Sequence, residues 1–201
     1  MLVKDQVLAN DRIKVDAVGL TVNRKEMEYA KYIIEHRYNV KYMWIKYQEH
    51  LENCLDLTDE EIDTIDSRVQ YHDMSKFSLD EFNGYRMAFY PIEEEYTALG
   101  LANKENTKKV MQSAWEHHYR VNDHHPEHYV DEHDYAEEMP KVAVVEMILD
   151  WCAMSFQQSS KVYIWWERVK DNKFILHPNT RELIEKTVHA IKQFDIQIGE
   201  Y

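Results

Sequence analysis

Turns are built largely from glycine and proline, and this chain has four of each in 201 residues. Average usage would supply about 24. Folds made of many short strands need such residues at every reversal, so β-sandwiches, β-barrels and collagen-like or low-complexity chains are excluded. With 44% hydrophobic and 12% aromatic residues the chain can build a core, which excludes wholesale disorder. An all-α protein is expected, a single-domain helical bundle of five to seven helices.

Charge and cysteine usage narrow the partners. The 37 acidic against 24 basic residues leave a net charge of −13. That balance argues against a general nucleic-acid binder or a binder of anionic membranes and leaves only a local basic pocket open. Cys54 and Cys152 lie far apart and fit no CxxC pattern, so neither a disulfide framework nor a cysteine-based zinc site is expected, as suits a reducing cytosol. The opening residues MLVKDQVLAND lack the apolar core of a signal peptide. The most apolar stretch, 142–156, is interrupted by Glu146 and Asp150 and is too short to span a bilayer. A cytoplasmic protein without membrane partners is expected, and association of copies stays open.

No repeat or linker divides the chain. Residues 1–20 read as an arm or a short strand, with Ile13, Val15 and Ala17 alternating, and 21–201 as one helical domain whose site lies within 29–156, followed by C-terminal helices over 157–201. A long helix is expected over 24–53, with Tyr29, Ile33, Val40, Met43, Tyr47 and Leu51 at helical spacing. Thr58 with Glu61 forms a capping box opening a helix to 73, and Ser78 with Glu81 another, opening a short helix that Pro91 closes. Further helices are expected over 104–121, over 140–157 with Pro140 in its first turn, and from Asn179 with Glu182 to 194. The 140–157 helix is apolar around most of its circumference and should be the buried one. Trp165 and Trp166 read as a packed amphipathic segment, or else as a surface for a protein partner.

The informative residues are the polar ones on core faces. At 100° per residue, Tyr29, Ile33, Val40, Met43 and Tyr47 fall within about 40° of one direction, and His36 lands about 20° from the middle of that stripe. A core histidine with a hydrogen-bond partner would explain His36 alone, and His50 sits on the edge of the same stripe as an alternative. His72 and Asp73 flank the stripe Ile62, Ile65 and Val69, offering a nitrogen and a carboxylate to one point. His118 points inward from the face of Val110, Met111, Ala114 and Trp115, with His117 nearer its edge. The segment from Asn122 to His128, containing His124 and His125, reads as a polar loop. Asp150 lies among large apolar residues with Glu146 one turn earlier. A bare buried carboxylate costs several kcal/mol and needs a salt bridge or a cation. The other inward histidines favour a cation.

In chain order these residues read His36, His72-Asp73, His118, His124 or His125, and Asp150. The order resembles the HD-domain superfamily of metal-dependent phosphohydrolases over about residues 29–156, and His72-Asp73-Met74-Ser75-Lys76 looks like the HDxxK form of its motif. The string His117-His118-Tyr-Arg-Val-Asn122-Asp-His124-His125-Pro126-Glu127-His128 also resembles uncharacterised bacterial and phage proteins known only as a domain of unknown function. The HD resemblance implies an all-α HD-like fold in which His36, His72, Asp73 and Asp150 ligate one divalent ion (Mn, Co, Ni, Fe, Mg or Zn). It implies that His118 with His124 or His125 holds a second, bridged by Asp73. No Gly-Tyr-Pro follows the histidine pair, so the cyclic-dinucleotide branch is not indicated.

Such an ion acidifies a coordinated water and polarises a phosphoryl oxygen. Asp73 would orient the nucleophilic water, while Lys76 and Arg120 are candidates to hold a substrate phosphate, as of a nucleotide. A metal-stabilised binding protein that does no chemistry is the alternative. Glu-x-x-His pairs, HExxH, a P-loop and GxGxxG are absent from the sequence. A three-histidine site in a four-helix bundle would leave Asp73 and Asp150 without roles.

Overall fold

The computed structural model describes residues 12–15, 20–92 and 101–200. Seven α-helices account for most of the described residues, in line with the all-α expectation: α1 Arg24–Leu55, α2 Asp59–Tyr71, α3 Phe82–Phe89, α4 Leu101–Val121, α5 Lys141–Gln157, α6 Val162–Val169 and α7 Pro178–Gln197. Short 3-10 turns cover Met74–Phe77 and Pro126–Tyr129. The only strands among the described residues, β1 Arg12–Val15 and β2 Leu20–Asn23, form an antiparallel hairpin with Arg12 opposite Asn23 and Val15 opposite Leu20. The rest of the arm expected over 1–20 lies outside the described residues. No helix among the described residues is long and apolar enough to cross a membrane.

Local chemistry explains the helix ends. Thr58 Oγ1 accepts from Glu61 N (3.2 Å) and Glu61 Oε2 from Thr58 N (2.9 Å), so the first capping box forms. The second does not. Glu81 precedes α3 but makes no capping bond there, because its carboxylate is used elsewhere. At α7 the cap is His177 rather than Asn179: its Nδ1 accepts from Asn179 N (3.2 Å), and Pro178 takes the first turn. Pro140 is the cap of α5 instead of its first helical residue, its carbonyl accepting from Val144 N at 3.1 Å. With glycine scarce, the left-handed residues that follow α1 and α5 are Asp56 (φ 51) and Ser159 (φ 52). Leu57 N then reaches back to Glu52 O (3.1 Å) and Ser160 N to Ser155 O (2.9 Å), taking up carbonyls that a helix end leaves open.

The chain forms two compact units. The first comprises Met1–Glu35 with Met74–His118, the second His36–Asp73 with Tyr119–Tyr201. In the first, Tyr29, Ile33, Tyr85 and Ala114 are buried together, with Phe82 and Tyr90 packed on Tyr29. In the second, α5 is the buried spine, as its composition requires, and packs against α2, α6 and α7. Val144, Val145, Met147, Ile148 and Leu149 are all buried, and each such side chain stabilises by about 1.5–3 kcal/mol. That offsets the cost of carrying two carboxylates on the same helix. Trp166 is buried and stacks with Trp151 and Phe174, so the Trp165-Trp166 segment is part of the core and not a free aromatic surface. Asp195, fully buried on α7, is matched by three donors: Tyr47 Oη (3.0 Å), Lys46 Nζ (3.0 Å) and Lys161 Nζ (2.9 Å). It ties α7 to α1 and to the start of α6.

Gly84 marks a close approach of α3 to α4. A Cβ there would lie 2.5 Å from Ala114 Cβ and 2.8 Å from the Val110 carbonyl oxygen, and backbone cannot yield as a flexible side chain would. Alanine would add about 1 kcal/mol of helix propensity but incur an overpacking cost of about 1–3 kcal/mol. Gly84→Ala is therefore expected to lower the unfolding free energy in urea; an unchanged or higher value would contradict the close packing.

Candidate metal centre

His36 lies on the inward stripe of α1 and is buried, as its spacing requires. The helix α2 ends at Tyr71, His72 forms its C-cap, and Asp73 follows in the left-handed region with φ 57. Arg37, next to His36, fastens this end: its Nε donates to His72 O (2.8 Å) and its Nη2 to Gln70 O (2.7 Å). The left-handed conformation costs an ordinary residue about 1–2 kcal/mol, and aspartate is among the few that visit it. A glycine would relax the backbone, but the position carries a carboxylate instead.

That carboxylate faces two ways. Asp73 Oδ2 lies 3.5 Å from His72 Nε2 and 3.7 Å from His36 Nε2, while its Oδ1 lies 3.5 Å from His124 Nε2. Asp150, from α5, places Oδ1 3.0 Å from His36 Nε2 and 3.9 Å from His72 Nε2. The ligand atoms of His36, His72 and Asp150 all lie within 4.8 Å of one another, and so do those of Asp73, His124 and His125. His72 Nε2 is buried and makes no hydrogen bond in the protein. A buried nitrogen aimed between two carboxylates at 3.5 and 3.9 Å fits a cation better than it fits any protein partner. The buried cluster can hold a metal ion.

A third carboxylate sits behind the histidines. Glu146 Oε1 is 2.8 Å from His72 Nδ1 and 3.3 Å from His124 Nδ1, and its Oε2 accepts from Arg68 Nε at 2.7 Å. Arg68 also pairs with Asp123, the residue before His124. Burial alone would raise the Glu146 carboxyl, but His72, His124 and Arg68 outweigh it and hold it below the ordinary range. Asp123 is lowered in the same way, burial being overcome by Arg68. At Asp150 too burial is overcome, chiefly by His36, and the carboxyl is strongly lowered. Burial presses His72 down, yet Asp73, Glu146 and Asp150 raise it to about 9. Burial, with His72 and His125 nearby, lowers His124 to about 3. The acids thus demand positive charge, and without a metal His72 carries it.

The other residues singled out in the sequence divide clearly. His124 is buried, and His125 is half-buried with its ring 4.3 Å from that of His124, so both reach the cluster. His50 contacts Cys54 Sγ and the Phe194 ring instead, which leaves His36 as the inward histidine of α1. His118 is buried in the first unit, as its position on the face of α4 requires, with Nδ1 2.8 Å from Glu81 Oε2. His117 is partly exposed and takes the other Glu81 oxygen, also at 2.8 Å. Lys76 lies over the Tyr85 ring, 5.4 Å from its centroid, and Arg120 is exposed on α4.

Two supporting residues escape a reading by motif. Glu81 looks like a capping residue but is fully buried, and its carboxylate holds His117, His118 and Ser75 (Oγ, 3.0 Å). The adjacent histidines were the available signal, since a buried pair of imidazoles needs an acceptor. Arg68 lies one turn before His72 on α2, a spacing that puts both on one face.

A family model described as a family of unknown function (DUF5662) matches residues 25–190. No curated protein matches the chain, and no solved structure does.

The lowered carboxylates set the pH response. Each contributes stability that is fully present above its unfolded value, roughly pH 4, and that is lost as pH falls through its lower folded value. Unfolding free energy of the metal-free protein should therefore decline below about pH 5. Arg68→Ala should cost on the order of 3 kcal/mol at pH 7 by removing the cation shared by Glu146 and Asp123, with the gap to the wild type closing toward pH 3. A gap independent of pH would show that the Arg68 pairing is not what lowers these groups.

Proposed function

We propose that this chain, which belongs to the DUF5662 family, is a metal-dependent phosphohydrolase of the HD-domain kind, acting on a small phosphoester such as a nucleotide. One observation carries the reading: the two oxygens of Asp73 face different histidines, Oδ2 toward His36 and His72 and Oδ1 toward His124. Such a carboxylate suits one divalent ion held by His36, His72, Asp73 and Asp150. It also suits a second, held by Asp73 with His124 and His125. Mn, Co, Ni, Fe, Mg and Zn are all compatible with imidazole and carboxylate donors. When bound, such an ion supplies a Lewis acid for a phosphoryl oxygen and an acidified water.

The protein's own part is orientation and exclusion of bulk water. Asp73 would align the attacking water; its oxygen forms the new bond to phosphorus as the ester oxygen leaves with a proton. His36, His72 and Asp150, packed among apolar residues of α1 and α5, hold fixed positions and need no reorganisation during the reaction. Arg120 is the candidate for the substrate phosphate, which needs a local positive focus in a chain of net charge −13.

Purified protein supplied with Mn²⁺, Co²⁺ or Ni²⁺ is expected to hydrolyse a phosphate mono- or diester from a broad nucleotide panel, and Asp73→Ala to reduce turnover to background. Metal uptake without turnover on any substrate would favour the non-catalytic, metal-stabilised alternative.

A further inference from the structure

Glu146 makes contacts that a cluster of metal ligands does not by itself require. Its Oε1 accepts from His72 Nδ1 at 2.8 Å and lies 3.3 Å from His124 Nδ1. Its Oε2 is taken by Arg68 Nε at 2.7 Å. An ionised carboxylate only accepts, so the His72 contact needs a hydrogen on Nδ1. A neutral imidazole with its hydrogen on Nδ1 carries its lone pair on Nε2. That Nε2 is the atom that faces Asp73 at 3.5 Å and Asp150 at 3.9 Å. His72, His124 and Glu146 are close enough to form a cation site of their own. Arg68 argues against that, because its guanidinium already occupies Glu146 and would repel a second cation.

We infer that Glu146 is a positioning residue: by accepting from Nδ1 of His72, it fixes that ring in the tautomer that presents Nε2. This rests on reading the centre as a metal site. Arg68, itself paired with Asp123, keeps that carboxylate ionised and turned the right way. Asp123 and His124 are consecutive, so the loop that brings the histidine also brings the residue that fastens Arg68.

The test separates tautomer control from simple packing. In Glu146→Gln the amide oxygen must turn to Arg68, which offers only donors, and the amide NH₂ then faces both Nδ1 atoms. His72 can pair with it only as an Nδ1 acceptor, which moves the hydrogen to Nε2, into the ligand position. Glu146→Ala removes the acceptor and leaves both tautomers available.

Mn²⁺ affinity, read by competition with a chromophoric chelator, is expected to fall about 10–100-fold in Glu146→Ala and further in Glu146→Gln. Filling the space predicts the opposite order, since glutamine is the closer shape. Wild-type affinity in Glu146→Gln, or a smaller loss than in Glu146→Ala, overturns the inference. Long-range ¹H–¹⁵N spectra of the zinc-loaded wild-type protein supply a check that does not depend on either variant folding. They should show hydrogen on Nδ1 of His72, and hydrogen on its Nε2 overturns the inference. A wild-type protein that takes up neither Mn²⁺ nor Zn²⁺ instead overturns the metal reading itself, a different result from a centre that binds metal and ignores Glu146.

Discussion

A carboxylate taken out of water costs several kcal/mol unless positive charge or donors meet it. The second unit buries Asp73 and Glu146, and leaves only 14% of the Asp150 side chain exposed. Most of what surrounds them answers that demand. Arg68 crosses from α2 to Glu146, Asp123 returns from the loop to Arg68, and His72 is raised until it can carry a proton. What makes such a cluster tolerable is the apolar helix beneath it. α5 places five large buried side chains around the two acids it carries, so the centre sits on the least deformable element of that unit. Close-packed helices do not shift easily to relax a charge, so the compensation has to come from ions and hydrogen bonds.

Asp73 shows how the scarcity of glycine shapes this centre. The chain leaves α1, α2 and α5 through left-handed residues at Asp56, Asp73 and Ser159, none of them glycine, while Gly199 (φ 78) follows α7. At Asp56 and Ser159 the result is an ordinary helix end. At Asp73 the same conformation follows the cap of α2 while Arg37 holds the last carbonyls, so a strained residue is kept in place by its neighbours. Strain retained where a relaxed residue was available is a mark of functional positions. Here the retained side chain is the one whose two oxygens face His36, His72 and His124.

Much of this was legible before the fold was known, for a specific reason. His36 and His118 each occupy a position whose helical phase points inward, and phase follows directly from spacing on a regular helix; Asp150 stands out by its large apolar neighbours. The two capping boxes fared differently. Thr58 and Glu61 cap α2 as their spacing implies, because Glu61 can pair with Lys141 and still accept from Thr58 N. Ser78 and Glu81 have the same spacing but do not cap α3, because Glu81 is drawn to His117 and His118, partners far along the chain. His124 and His125 could not be ranked from sequence, since a loop has no fixed phase; the structure brings both to Asp73 and buries the first more deeply.

By itself the sequence determined the helical class, the inward residues of the long helices and the buried character of α5, all of which follow from local periodicity and from what glycine and proline cannot supply. Only the tertiary structure decided which inward residues meet. The pairing of Glu146 with His72, of Arg68 with Asp123, and of Glu81 with two histidines joins residues 36 to 74 positions apart. Electrostatic matching of that kind depends on distances across the packed helices, and no spacing along a single helix encodes it.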